Sequence, residues 1–217
     1  GTFIRMPDIS LLEVIAQTDL DFVVLDAEHA PFGRAERDRC LAMAMALDLP
    51  ALVRVPGQDE ILSALDDGAL GVVVPHVDSA EKAQAVAKAA HFGKGGRGYA
   101  GSTRWAGMTT RPMTDVLDMD ANTIVIAQIE EPEGIDSVDA IAATQGIDGL
   151  FAGPADLSVS YGERSVGSDV LTAALAAIGQ ATKRNGKAYV SWIPDAGFAA
   201  DWAKHGITTF VVGSDQS

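Results

Sequence analysis

Four short apolar runs end in residues that could do chemistry. Phe22–Asp26 runs into Ala27-Glu28-His29, and Ala51–Val55 carries Arg54. Thr123–Ile129 ends in Gln128-Ile129-Glu130, and Gly149–Ala152 runs into Gly153-Pro154-Ala155-Asp156. Glu130 and Asp156 are hard oxygen donors. Two carboxylates, with water and substrate in the remaining positions, suit Mg²⁺ or Mn²⁺. No second His stands beside either, which disfavours a tetrahedral zinc set. Asp156 has another reading as a helix cap, because it directly precedes Leu157. His29 stands next to carboxylates, and an imidazole so placed suits a general acid or base. Arg54 supplies a fixed positive charge. His76 follows a further run at Pro75 and would line the same end, whereas His91 and His205 fall at helix ends, where a His often only complements the dipole. None of the lysines (82, 88, 94, 183, 187 and 204) follows a strand-like run, so an imine mechanism is not expected.

These residues need elements that bring them to one end. Eight apolar, β-branched runs are spaced along the chain: Thr2–Met6, Phe22–Asp26, Ala51–Val55, Gly71–Pro75, Thr123–Ile129, Gly149–Ala152, Ala188–Trp192 and Thr208–Val212. Most are continuously hydrophobic, the pattern of parallel strands covered on both faces. Seven helical patterns lie between them, the last with Asp195 as its cap. The alternation predicts one domain over 1–217, an α/β fold of the (β/α)8 TIM barrel type, with the final C-terminal helix missing from this chain. A doubly wound open sheet is the competing layout. In a barrel, reactive residues gather where strands end, which is where His29, Arg54, Glu130 and Asp156 fall. The long Gly-rich segment from His91 to Met119, with Arg97, Arg104 and Arg111, exceeds an ordinary connection and reads as a functional loop.

Composition narrows the function classes. Sixteen basic residues against 30 acidic ones give a net charge of −14, which argues against nucleic acid or anionic membrane as partner. The single cysteine, Cys40, excludes an intrachain disulfide framework. No apolar stretch is long enough to span a bilayer and no signal peptide opens the chain, so a cytoplasmic protein is expected.

Several blocks together resemble one family. Asp21-Phe22-Val23-Val24-Leu25-Asp26-Ala27-Glu28-His29-Ala30-Pro31, Val53-Arg54-Val55-Pro56, Leu65-Asp66-Asp67-Gly68-Ala69, Arg97-Gly98-Tyr99-Ala100-Gly101-Ser102-Thr103-Arg104, Gln128-Ile129-Glu130 and Gly149–Ser158 are similar, in order, to the HpcH/HpaI aldolases. These are metal-dependent class II pyruvate aldolases. The resemblance implies reversible cleavage of a 4-hydroxy-2-oxo acid into pyruvate, or hydroxypyruvate, and an aldehyde, with Mg²⁺, Mn²⁺ or Co²⁺ as cofactor. It implies that Glu130 and Asp156 bind the metal. Gln128, Gly153, Ala155 and Asp156 would hold the pyruvate unit. Arg54 would stabilise the enolate, His29 would be the acid/base, Asp26 would partner His29, and Asp66 would tune that His, from its own or a neighbouring subunit. A homo-oligomer, a trimer of dimers, is implied as well.

The chemistry agrees with this assignment. Aldol cleavage needs an electron sink at the ketone and a base at the hydroxyl, roles suited to a Lewis-acidic cation with Arg54 and to a His beside a carboxylate. A lyase acting on an acyl-CoA thioester of the citryl or malyl type is the alternative within the superfamily. It would need a basic groove, for which only the arginines at 97–111 are available. A non-catalytic barrel module is the third reading, and the joint presence of His29, Arg54, Glu130 and Asp156 argues against it.

Overall fold

The eight apolar runs become eight strands. A computed structural model describes residues 1–217 and shows, in chain order, β1 (Thr2–Ile4), α1 (Ile9–Ile15), β2 (Val23–Asp26), α2 (Arg34–Ala46), β3 (Ala51–Arg54), α3 (Ile61–Asp66), β4 (Gly71–Val74), α4 (Ala80–Ala90), α5 (Met113–Asp118), β5 (Ile124–Ile129), α6 (Pro132–Asp136), α7 (Val138–Ala142), β6 (Gly149–Ala152), α8 (Pro154–Ser160), α9 (Asp169–Asn185), β7 (Ala188–Ile193), α10 (Ala199–Trp202) and β8 (Thr209–Val212). The strands form one sheet in the order β1 to β8, each beside its neighbour in sequence. Such an order, with a helix between successive strands, defines a (β/α)8 barrel. The chain packs as two compact units, Gly1–Val72 with Lys88–Ile124 and Ser214–Ser217, and Val73–Ala87 with Val125–Gly213. No helix is long and apolar enough to cross a membrane.

In the first unit, β1, β2 and β3 pair in parallel. β2 is buried along its whole length, Val-Val-Leu-Asp, so its continuous hydrophobicity reflects cover on both faces. After β8 the chain returns to β1, where Ser214 bridges Phe3 and Asp215 N donates to Phe3 O at 3.1 Å. The segment from His91 packs around Trp105, Ala106 and Val116 and carries the short α5.

In the second unit β5, β6, β7 and β8 pair in parallel. The helix α9 shows why its sequence folds as it does. Ser168 Oγ accepts from Leu171 N at the start, Leu171, Leu175, Ile178 and Ala181 fall on one buried face, and Gly186 ends it in a left-handed turn at φ 63°. Each buried Leu or Ile there contributes about 1.5–3 kcal/mol. Asp195 caps a short 3₁₀ turn through Gly197 N, as its position before the last helical pattern predicts. Two helices were not legible in the sequence. α8 is only seven residues with Pro154 at its first position, and α5 is six residues inside the long loop.

Candidate active site

The first unit gathers Asp26, Glu28, His29 and Arg54. The parallel register sets Asp26, the last residue of β2, beside Arg54, the last residue of β3. Their side chains form a two-pronged pair, Nε to Oδ1 at 3.0 Å and Nη2 to Oδ2 at 2.7 Å. The guanidinium lies on the Phe3 ring, 4.5 Å from its centroid, and its Nε is 3.4 Å from Glu28 Oε2. Asp26 is 1% exposed. Burial alone would raise its pKa; the Arg54 hydrogen bonds and charge, with the His29 main-chain N–H, outweigh this and hold it below the ordinary carboxylate range.

His29 stands three residues beyond β2. Asp26 reaches it through the main chain, accepting from His29 N at 3.1 Å, while the ring Nε2 is 3.6 Å from Glu28 Oε2. The ring itself is half-exposed, at 51%. The carboxylate beside the imidazole is thus Glu28, and Asp26 serves Arg54 first. Arg5, just beyond β1, also comes to this corner, with Nη2 donating to His29 O at 2.9 Å. Sequence reasoning passed over Arg5 because it falls inside the first apolar run.

Asp66 ends α3, four residues before Leu70, whose N–H donates to Ala51 O at the first residue of β3. It therefore lies where β3 and β4 begin, whereas Asp26 and Arg54 lie where β2 and β3 end. Its partner is Arg97 Nη2 at 2.8 Å. The Arg97 side chain is wholly buried between the rings of Phe92 and Trp105, 4.7 and 4.8 Å from their centroids, and its Nε and Nη1 have no hydrogen-bond partner. Losing one member of a buried ion pair costs about 3–5 kcal/mol. We expect Asp66→Ala to lower unfolding free energy by about that amount in urea titration, and Asp66→Ala with Arg97→Met to recover most of it. A loss below about 1 kcal/mol would mean that Arg97 has another source of compensation.

In the second unit, β5 delivers Gln128 and Glu130 and β6 leads to Gly153, Ala155 and Asp156. Glu130 is buried, yet its one ion partner is His76, whose Nδ1 is 3.0 Å from Oε1. His76 N donates to the same oxygen at 2.7 Å, the Gln128 amide donates to Oε2, and Ser160 Oγ donates to Glu130 O at 3.1 Å. His76 holds this grip in a left-handed backbone, φ 56°, a sparsely populated conformation for a side chain of its size. Its ring is also 3.1 Å from Glu131 Oε1. Gln128 Oε1 is buried without a partner.

Asp156 lies in the first turn of α8, whose N-cap is Gly153, so it does not cap this helix. The first bond of the helix runs from Leu157 N to Gly153 O, which gives the N–H groups of Ala155 and Asp156 no helical acceptor. Gly153 is where the two acidic residues meet. A Cβ there would stand 3.3 Å from Glu130 Oε2 and 3.4 Å from Asp156 Oδ2, so a side chain would fill the space between the two carboxylates. Two carboxylate oxygens face one point with no Lys or Arg beside them. That donor set fits a hard divalent cation.

The model of the HpcH/HpaI aldolase/citrate lyase family matches residues 1–217, and the chain belongs to that family. It is 38% identical over 164 residues to the 4-hydroxy-2-oxovalerate aldolase of Novosphingobium aromaticivorans, a match covering 72% of this chain and 60% of that protein. It is 35% identical over 207 residues to the 5-keto-4-deoxy-D-glucarate aldolase of Klebsiella pneumoniae subsp. pneumoniae, covering 94% of this chain and 80% of that protein. Among solved structures, an HpcH/HpaI aldolase/citrate lyase family protein from Burkholderia cenocepacia J2315 superposes with a TM-score of 0.93 at 31% identity, over 100% of this chain and 88% of that one.

Proposed function

We propose that this chain is a metal-dependent aldolase that reversibly cleaves a 4-hydroxy-2-oxo acid into pyruvate, or hydroxypyruvate, and an aldehyde. The observation that carries the reading is the pair Glu130 and Asp156, two carboxylates converging on the space over Gly153 with no Lys or Arg beside them. The names of the aldolase relatives support it. Mg²⁺, Mn²⁺ or Co²⁺ held by these two residues would supply Lewis-acid polarisation of the 2-oxo group. Gln128 and the free N–H groups of Ala155 and Asp156 orient the substrate's carboxylate end, with Gly153 leaving it room. His29 takes the proton of the C4 hydroxyl as the C3–C4 bond breaks and the aldehyde carbonyl forms. Arg54, held in place by Asp26 and the Phe3 ring, would be the positive charge that stabilises the enolate. A proton from water adds at C3 to give the 2-oxo acid product, and His29 returns its proton to solvent. The oligomer and the cytoplasmic setting expected from the sequence belong to this same reading.

The acyl-CoA lyase alternative loses its support in the long loop. Arg97 is paired with Asp66, Arg104 donates to Asp67 O and Asp38, and Arg111 donates to Trp105 O. These guanidiniums are committed to the protein's own acceptors rather than arrayed for nucleotide phosphates.

The test is solvent exchange of the pyruvate methyl protons in D₂O, followed by NMR, together with condensation against a panel of aldehydes. Exchange and condensation should require Mg²⁺, Mn²⁺ or Co²⁺, stop with a chelator and survive borohydride. Metal-independent turnover, or a borohydride-trapped pyruvate adduct, would end the proposal. Turnover confined to acyl-CoA thioesters would favour the alternative.

A further inference from the structure

Arg5 is a second guanidinium at the His29 corner, beside the pair of Asp26 and Arg54. Asp26 already receives both prongs of Arg54, one on each carboxylate oxygen. Arg5 Nε only approaches Asp26 Oδ2, at 3.4 Å, and has no hydrogen-bond partner. The directed contact that Arg5 makes is to the main chain of His29, where Nη2 donates to the carbonyl oxygen at 2.9 Å.

Arg5 is itself seated from the far end of the chain. Its N–H lies 3.0 Å from each carboxylate oxygen of Asp215, and Met6 N donates to Asp215 Oδ2 at 2.8 Å. Asp215 N in turn donates to Phe3 O at 3.1 Å, continuing the bridge between Ser214 and Phe3. The segment after β8 thus fixes the end of β1, and the end of β1 aims the Arg5 guanidinium at His29.

His29 needs such support. It lies beyond β2, outside any helix or strand, so no ladder holds its backbone. Asp26 holds its N–H and Arg5 holds its C=O. With both peptide groups fixed, the ring direction is left to the side-chain torsions alone. A group that must meet a substrate hydroxyl within hydrogen-bond distance loses rate steeply when displaced, about 10²-fold for a shift on the order of 1 Å.

We propose that Arg5 is a positioning residue: seated by Asp215, it holds the His29 carbonyl so that the imidazole is presented to the hydroxyl whose proton it moves. This rests on the aldolase reading and on the role given to His29 there. It adds a residue that acts on carbon–carbon bond steps without touching the pyruvate end.

The experiment uses the full chain loaded with Mn²⁺ or Mg²⁺ and compares wild type with Arg5→Ala, Arg5→Lys and Asp215→Asn. Aldol cleavage in Arg5→Ala should lose about 10–10²-fold in kcat with KM little changed, while pyruvate methyl exchange stays near wild type. Arg5→Lys should recover part of the loss, since one N–H donor still reaches a single carbonyl. Asp215→Asn should shift the same quantity in the same direction by less, and it serves if Arg5→Ala folds poorly. A rise in KM with kcat preserved would make Arg5 a substrate-binding group and overturn the proposal. A parallel loss of methyl exchange would place its effect on the Arg54–Asp26 pair and overturn it equally. A readout independent of turnover comes from ¹⁵N-histidine NMR, since the chain has 4 histidines. In Arg5→Ala the His29 ring signals should move and those of His91 and His205 should not. If wild type neither exchanges pyruvate protons nor cleaves an aldol, the aldolase reading fails; unmoved His29 signals would then reject the Arg5 contact on its own terms.

Discussion

Glu130→Gln should remove metal-dependent activity while leaving the protein folded. The substitution keeps an oxygen for the His76 N–H, which donates to Oε1 at 2.7 Å, but removes the charge facing Asp156. A Lewis-acidic cation is worth several kcal/mol of transition-state stabilisation, and about 4 kcal/mol is roughly a 10³-fold rate loss. We expect a fall of at least that order, with Mn²⁺ no longer retained on gel filtration. Asp156→Asn should behave alike for a simpler structural reason. Asp156 is exposed and makes no contact that the fold depends on, so its loss should not lower the stability of the metal-free protein. The clearest readout is thermal. Wild-type Tm should rise with added Mn²⁺, because a ligand that binds only the native state stabilises it, and the rise should vanish in both variants. Retention of the Mn²⁺-dependent Tm rise in both variants would place the metal elsewhere. Activity surviving in metal-free wild type would instead remove the cation from the reaction.

The second large effect is expected at Arg54. Removing a preorganised donor to a developing oxyanion costs about 3–4 kcal/mol in catalysis, so Arg54→Ala should lose about 10²–10³-fold in both aldol cleavage and methyl exchange. The structure adds a stability cost. The substitution strips both Arg54 hydrogen bonds from a carboxylate that is 1% exposed, leaving the His29 main-chain N–H at 3.1 Å and Arg5 Nε at 3.4 Å. Breaking a buried pair in this way costs about 3–5 kcal/mol. The two losses separate by a second change: Arg54→Ala with Asp26→Asn should regain stability, since the uncompensated charge is gone, and regain no activity. The pH dependence follows from the direction of the Asp26 shift. Its folded-state pKa lies below the ordinary value of 3.8, so its contribution to stability is present above that value and is lost as pH falls through the folded-state pKa. In Arg54→Ala burial acts with far less opposition and penalises the charged form, a penalty that protonation relieves. The stability gap between wild type and Arg54→Ala should therefore narrow as pH is lowered through the carboxylate range. A constant gap, followed by urea unfolding from pH 7 downward, would show that Asp26 is not the group left exposed to burial.

Much of this was legible in the residue order. Continuous apolar runs mark buried parallel strands whatever their neighbours, because two-sided cover demands hydrophobicity at every position, and all eight were found within two residues of their observed ends. The acidic pair Glu130 and Asp156, and Arg54 with His29, followed from their places just past those runs. The short helices α5 and α8 did not follow, since six or seven residues carry too few apolar positions to establish a helical period.

The sequence by itself determined the fold class, the strand ends and which residue types stand there, because these depend on local pattern. Only the tertiary structure decided who pairs with whom. Asp26 is three residues from His29 and twenty-eight from Arg54, yet the parallel register sets its carboxylate against the guanidinium and leaves His29 its main-chain contact alone. Asp215 reaches Arg5 across a separation of 210 residues, a pairing that no local pattern announces. His76 turns left-handed to grip Glu130, and Gly153 opens the space between two carboxylates, through backbone geometry imposed by the packing around them. Ion pairs and hydrogen bonds act over a few ångströms of space, and which groups come within that range is set by the long-range pairing of strands rather than by their spacing along the chain.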